Sequence, residues 1–361
     1  MLFNSTSFLS ARYYKMTKEQ AAEVNVNAIF LGFLLFLFTQ GMFILFSSWL
    51  KIELGVPGYF LMFIPAFVFF RLMNTYLGNI WQIQHNVRAY GIFSIGTLTF
   101  DLLSSMLLVV IFQFGYMGRL IGSHFSFLFF SLFALYFLRR DGQFIGKISK
   151  SMLAEIVRFG TPLIPHAIGG VSLAIANRYL LANFMDSGAV ATFVVAYQIA
   201  SVMLLVGTSI NQAWSVYLFQ LLADGAGKNK IKIRRLMLTL LTLLLVVVGI
   251  LLLLKNPLFK LLAGDNFDES KKYFPYLICG FFFQSAYFIF VNFDFYEERA
   301  TSIGLTTLAV ALINITLNIF LIPIYGVQGA AYASLTGMLV YFLVVAVRVA
   351  MFNDSFKKVW F

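Results

Sequence analysis

A chain of 361 residues that is 60% hydrophobic, 18% aromatic and only 11% charged falls well short of the roughly 25% charge of soluble domains, which excludes an ordinary soluble enzyme. The formal net charge of +11 sits in short links between apolar runs, where it marks a membrane face rather than a nucleic-acid surface. The single cysteine, Cys279, lies in an apolar run, so no internal disulfide forms.

The opening residues Met1–Tyr14 lack the charged start and small-residue cleavage site of a signal peptide. Within them Leu2–Ala11 is weakly apolar and too short to span; it reads as the tail of a helix whose beginning is absent. Ten apolar segments follow, at roughly 28–50, 57–84, 89–113, 117–138, 153–185, 188–222, 232–254, 271–296, 301–323 and 327–350. Each reaches the ~20 residues that cross a hydrocarbon core of about 30 Å. The expectation is an all-α, polytopic integral membrane protein. The link Arg139–Met152 divides it into an N-terminal bundle over residues 1–150, with four spans, and a C-terminal bundle over 151–361, with six.

Lysine and arginine then set the orientation. Links on the side of the N-terminus hold Arg12, Lys15 and Lys18; Arg88; Arg139, Arg140, Lys147, Lys150 and Arg158; Lys228, Lys230, Lys232, Arg234 and Arg235; Arg299; and Arg348, Lys357 and Lys358. The opposite side holds Lys51, Arg119, Lys255, Lys260, Lys271 and Lys272. This bias places both termini in the cytoplasm. No link is long enough for a folded extramembrane domain.

Two prolines, Pro162 and Pro165, open the fifth span, between Gly160 and the pair Gly169–Gly170. Proline removes a backbone donor and crowds the preceding turn, so this span is expected to bend, with Pro162 and Pro165 as a candidate hinge. Ionisable residues inside spans are expensive and mark function by default. Arg71 and Asp101 lie equally far from the turn near Asn86, which puts them at one depth, where they could pair. Arg71 is read as a cavity residue for an anionic group, against a purely structural pair. Asp101, His124 and His166 are candidates for ion coupling; each histidine alone is as well explained by packing. Arg178 either snorkels to the headgroups or faces a cavity. Asn211, Gln212, Asn314 and Asn318 either bond neighbouring helices or line a pathway. Asp294, Glu297 and Glu298 beside Arg299 read as a solvated helix end. No metal-ligand spacing, phosphate-binding glycine loop or nucleophile motif is present.

The stretch Asn314-Ile-Thr-Leu-Asn318-Ile-Phe-Leu-Ile-Pro-Ile-Tyr-Gly326-Val-Gln-Gly329-Ala-Ala-Tyr-Ala-Ser resembles one that recurs in polysaccharide flippases of the multidrug/oligosaccharidyl-lipid/polysaccharide exporter (MOP) superfamily. Phe159–His166 resembles the start of that family's seventh helix. Ala176-Asn177-Arg178-Tyr179 is similar to a motif where aspartate often precedes the arginine; Asn177 departs from it. Ala213-Trp214-Ser215-Val216-Tyr217 is similar to the end of the eighth helix, and Val216 stands where proline is frequent. Ser10-Ala11-Arg12-Tyr13-Tyr14 resembles the cytoplasmic end of the second helix.

The resemblance implies two six-helix bundles, an N-terminally truncated first bundle, and alternating access. It implies a bacterial cytoplasmic-membrane transporter, not an enzyme. The cargo would be an undecaprenyl-diphosphate-linked oligosaccharide repeat unit for O-antigen, capsule or exopolysaccharide. No cofactor is implied; a proton or sodium gradient is the candidate energy source. Membrane lipids and a polysaccharide polymerase are the candidate partners, and no nucleic acid is expected. The alternatives are a drug or metabolite exporter or a peptidoglycan-precursor flippase of the same superfamily, or, from another class, a membrane-embedded glycan polymerase or ligase.

Overall fold

A computed structural model describes residues 4–49 and 58–360, the side chains of 58–60, 265 and 266 aside. The span ends expected at 50 and 57, the cation Lys51 and the first residues of the opening segment lie outside the described residues. Among the described residues ten helices are long and apolar enough to cross a membrane.

The chain forms two compact units, Met1–Thr161 and Pro162–Phe361. The first contains α1 (Ser5–Arg12), α2 (Lys18–Leu45), α3 (Gly58–Ile83), α4 (Val87–Met106), α5 (Gly115–Arg140) and α6 (Lys150–Gly160). The second contains α7 (Ile164–Phe184), α8 (Ser187–Ala200), α9 (Val202–Ala223), α10 (Lys230–Leu253), α11 (Lys255–Leu262), α12 (Phe274–Tyr296), α13 (Ala300–Tyr325), α14 (Val327–Phe352) and α15 (Asp354–Trp360). The division lies one short helix beyond the link read as the boundary.

Local chemistry explains where helices begin. Thr17 and Gln20 form a reciprocal capping box at α2, satisfying two of the orphan donors of the first turn. Asn86 caps α4 and Asp186 caps α8. The proline pair acts as expected on the backbone: α6 ends at Gly160, a 3₁₀ turn spans Thr161–Leu163, and α7 resumes at Ile164 with proline in its first turn. The α6–α7 segment, Lys150–Phe184, runs 35 residues, well beyond what about 30 Å of hydrocarbon needs. On α6, Ile156 and Phe159 are buried while Lys150 and Glu155 are exposed.

The link between α5 and α6 is fastened to α2. Asn25 Nδ2 donates to Gln143 O (2.9 Å) and Asn27 Nδ2 to Lys147 O (3.0 Å), while Asn27 Oδ1 accepts from Ser149 N (2.9 Å). Tyr76 of α3 holds Asn25 in place by donating to its Oδ1 (2.8 Å).

Small residues let helices approach. On α5, Gly122 faces α4 and Gly118 faces the turn that continues it at Leu108: a Cβ at Gly122 would lie 2.7 Å from the Ser105 nitrogen. In the second unit, α12 is the most enclosed span, 56% buried over its apolar window, and packs mainly on α9 and α14. Helix α13 packs on α7 and the turn before it so closely that a Cβ at Gly304 would run into the Pro162 carbonyl oxygen. Gly304→Ala should therefore force the two helices apart and destabilise the protein by about 1–3 kcal/mol, the usual cost of overpacking. Gly249→Ala, where nothing lies within 4 Å, should be neutral. Thermal unfolding in one detergent compares the two; equal behaviour would contradict the close contact.

Candidate functional site

In the first unit Arg71 lies in the middle of α3 and is exposed. Among the described residues no hydrogen bond or ion pair reaches its guanidinium. It does not pair with Asp101. Asp101 takes Arg119 instead: Nη1 donates to Oδ1 (2.7 Å) and Nη2 to Oδ2 (3.1 Å), and Nη1 also donates to Ser105 Oγ (2.6 Å). Equal distance from the turn does not fix rotation about the helix axis. Helix α4 packs chiefly on α5 rather than α3, and the Gly122 contact brings Arg119 onto the Asp101 face. Arg119, assigned to a link by sequence, belongs to the first turns of α5. His124, also on α5, lies among three phenylalanines: stacked with Phe67 (6.2 Å) and edge-on to Phe63 (6.3 Å) and Phe70 (5.7 Å). Its Nδ1 is enclosed without a partner.

The second unit contains a polar column along α13 and α14. At its outer end, by the orientation assigned from sequence, Asn177 Nδ2 donates to Ser334 Oγ (2.6 Å) and Asn318 Nδ2 donates to Asn177 Oδ1 (2.6 Å). Asn314 Nδ2 donates to Ala333 O (3.0 Å). All four side chains are buried, and Asn318 Oδ1 has no partner among the described residues. Thus Asn314 and Asn318 bond neighbouring helices, while Asn177 and Ser334 line a pocket of about 10 Å³ together with Tyr197 and Met338, about the room one water molecule needs. Arg178 lies over the Tyr197 ring at 4.7 Å, its Nε enclosed and unpartnered. On α9, Asn211 Oδ1 accepts from Asn292 Nδ2 (2.7 Å), and Gln212 is exposed.

Midway down the column His166 Nδ1 contacts Thr307 Oγ1 (2.7 Å), which also contacts Tyr341 Oη (2.5 Å). Tyr341 stacks on Tyr287 at 4.0 Å. The inner end corrects the reading of Asp294 as a solvated helix end and of Arg348 as a link cation. Asp294 is 1% exposed and ion-paired with Arg348, whose side chain is 14% exposed. Arg348 Nε donates to Asp294 Oδ2 (3.1 Å), Nη1 to Ser302 O (2.9 Å) and to Thr306 Oγ1. Asn353 Nδ2 donates to Asp294 Oδ1 (3.2 Å), and Asn353 Oδ1 caps α15 by accepting from Phe356 N (2.9 Å). The sequence did hold one signal for this arrangement: Tyr287 and Asp294, like Tyr341 and Arg348, are two helical turns apart and so share a face.

Removing one partner of a buried ion pair leaves an uncompensated charge, at about 3–5 kcal/mol, whereas replacing both by apolar residues of similar volume is often near neutral. Arg348→Met should cost that much in thermal unfolding, and the Asp294→Leu, Arg348→Met double variant should recover most of it. A double variant no better than the single one would show that Arg348 acts through Ser302 and Thr306 instead.

No protein-family model matches the chain, and no curated protein sequence matches it. Solved structures do. An outward-facing multidrug resistance MATE family transporter of the MOP superfamily is 15% identical, with 99% of this chain and 84% of that one covered at a TM-score of 0.80. The Vibrio cholerae MATE transporter VcmN is 15% identical, with 100% and 85% covered at a TM-score of 0.77. A MOP superfamily transporter from Pyrococcus furiosus, described as having a binding pocket of reverse polarity that suggests a different function, is 16% identical, with 99% and 84% covered at a TM-score of 0.75. The chain is a multi-pass helical membrane protein with the fold of the MATE transporters.

Proposed function

We propose that the protein is a transporter that moves an undecaprenyl-diphosphate-linked oligosaccharide repeat unit from the inner to the outer leaflet of a bacterial cytoplasmic membrane. The observation that carries this reading is Arg71. A guanidinium in mid-span with no partner among the described residues needs water or an anion beside it, because hydrocarbon would not hold it. Arginine suits a diphosphate because its planar fork donates twice. The lipid tail would stay in the bilayer. Alternating access, with the Thr161–Leu163 turn and Pro162 and Pro165 as hinge, supplies the movement. A proton or sodium gradient supplies the energy. A polysaccharide polymerase would take the product. The fold and the resemblance of Asn314–Ser334 to polysaccharide flippases support this assignment. The multidrug MATE neighbour favours a drug exporter as the second reading.

Complementation of a flippase-null strain separates the two. Arg71→Ala should abolish complementation at normal protein level, and Arg71→Lys should restore only part, since a point charge loses the bidentate fit. Full activity in the alanine variant would remove Arg71 from the mechanism. Failure of the parent chain to complement, with drug efflux present, would establish the exporter.

Orientation is tested on α15. Asn353 is fully buried, so the exposed Lys357 is the better labelling position. Lys357→Cys should resist impermeant thiol reagents in intact cells if the C-terminus is cytoplasmic, as the basic links require. Ready labelling would reverse the orientation.

A further inference from the structure

The Thr307 hydroxyl has one hydrogen and two lone pairs, and three partners compete for them. Its Oγ1 donates to the Ile303 carbonyl oxygen (2.9 Å). A carbonyl can only accept, so this bond consumes the hydrogen. The two remaining contacts, Tyr341 Oη at 2.5 Å and His166 Nδ1 at 2.7 Å, must then both donate into Thr307 Oγ1. Tyrosine does so with its O–H. Histidine does so only if Nδ1 carries the proton, which leaves Nε2 bare in the neutral ring.

We propose that His166 is a proton-binding residue of the second unit, taking its proton at Nε2 while Nδ1–H stays bonded to Thr307. The protonation step moves one proton from water to Nε2 and breaks no bond to the protein. It also makes the Nδ1–H···Oγ1 bond charge-assisted, and such bonds are roughly twice as strong as neutral ones. Protonation therefore tightens the link from α7 through Thr307 of α13 to Tyr341 of α14. The link lies where α7 begins. Pro165 adjoins His166 in sequence, and Gly304, one turn before Thr307, receives the Pro162 carbonyl oxygen. A Cβ at Gly169 would meet the Thr307 carbonyl oxygen at 2.9 Å, so α7 and α13 are in contact on both sides of the histidine.

No charged group bonds the ring among the described residues. From α12 it meets Phe295 edge-on at 6.4 Å, from α13 Thr307, and from α14 Tyr341 through Thr307. Tyr287 of α12 stacks behind Tyr341. The two charges of the column, Asp294 and Arg348, are paired with each other. Among the described residues no carboxylate bonds the imidazole.

The coupling consequence rests on the transport reading; the proton site does not, and the experiment keeps them apart. The chain has 3 histidines, so nitrogen NMR of histidine-labelled protein in lipid nanodiscs resolves each ring, and His166→Gln assigns this one. The neutral ring should be the Nδ1–H tautomer, and acidification should add the second proton at Nε2. Thr307→Ser should keep that tautomer and Thr307→Val should lose it. An Nε2–H tautomer in the parent protein, or a ring that holds one protonation state between about pH 5 and 8, overturns the proposal. In vesicles, His166→Gln should lose the pH dependence of transport that His85→Gln retains. Unchanged pH dependence in His166→Gln overturns the coupling role. Absence of lipid-linked oligosaccharide flipping in the parent overturns the flippase reading and leaves the spectroscopic result to decide the proton site.

Discussion

A leucine gains little by leaving lipid tails for another leucine, so apolar burial alone does not hold membrane helices together. Close backbone approach and hydrogen bonds between helices must do it, and both units are organised by that constraint. In the first, Gly122 seats α5 on α4, and the Arg119–Asp101 pair with Ser105 closes the contact. In the second, α12 and α14 present two matched layers, Tyr287 on Tyr341 and Asp294 with Arg348. Helix α13 supplies the bridging hydroxyls Thr306 and Thr307. Losing one of these bonds would leave a polar group in a medium that offers no replacement.

Much of the fold was legible because the bilayer makes it so. Ten apolar runs were enough to find ten spans, since a spanning segment must be long and continuous. The proline pair located the break between α6 and α7 because its cost to a helix is local. The site was harder. Arg71 and Asp101 are equally far along the chain from Asn86, yet what each side chain meets depends on helix rotation, which neither periodicity nor length fixes in a chain apolar on every side. Asp294 was misread because its neighbours Glu297, Glu298 and Arg299 suggested water; the residue three positions earlier already points inward. Thr307 and Ser334 carry no charge, so nothing in the sequence separated them from ordinary helix-facing polar residues.

The charges fall into two classes. Asp101 with Arg119 and Asp294 with Arg348 are internally compensated, and the cluster of Asn177, Asn314, Asn318 and Ser334 is neutral throughout. Arg71 and Arg178 are not matched by a carboxylate among the described residues. Arg178 leans on the Tyr197 ring, an interaction worth about 2 kcal/mol when desolvated, while Arg71 has no such support. The molecule thus holds its scaffold together with balanced groups and leaves positive charge where the scaffold does not need it.

The two asparagines of α2 give the α5–α6 link an unusual character. Links between elements ordinarily tolerate insertion because few bonds cross them. Here Asn25 and Asn27 reach the backbone at Gln143, Lys147 and Ser149, and the α2 backbone at Glu23 comes within 2.9 Å of where a Cβ at Gly146 would stand. The segment is therefore measured to length: one residue more or fewer between Gln143 and Ser149 would put every bond out of register at once. A stretch that looks like a tether by composition behaves as a gauge, and insertions or deletions here would be as poorly tolerated as those in a helix core.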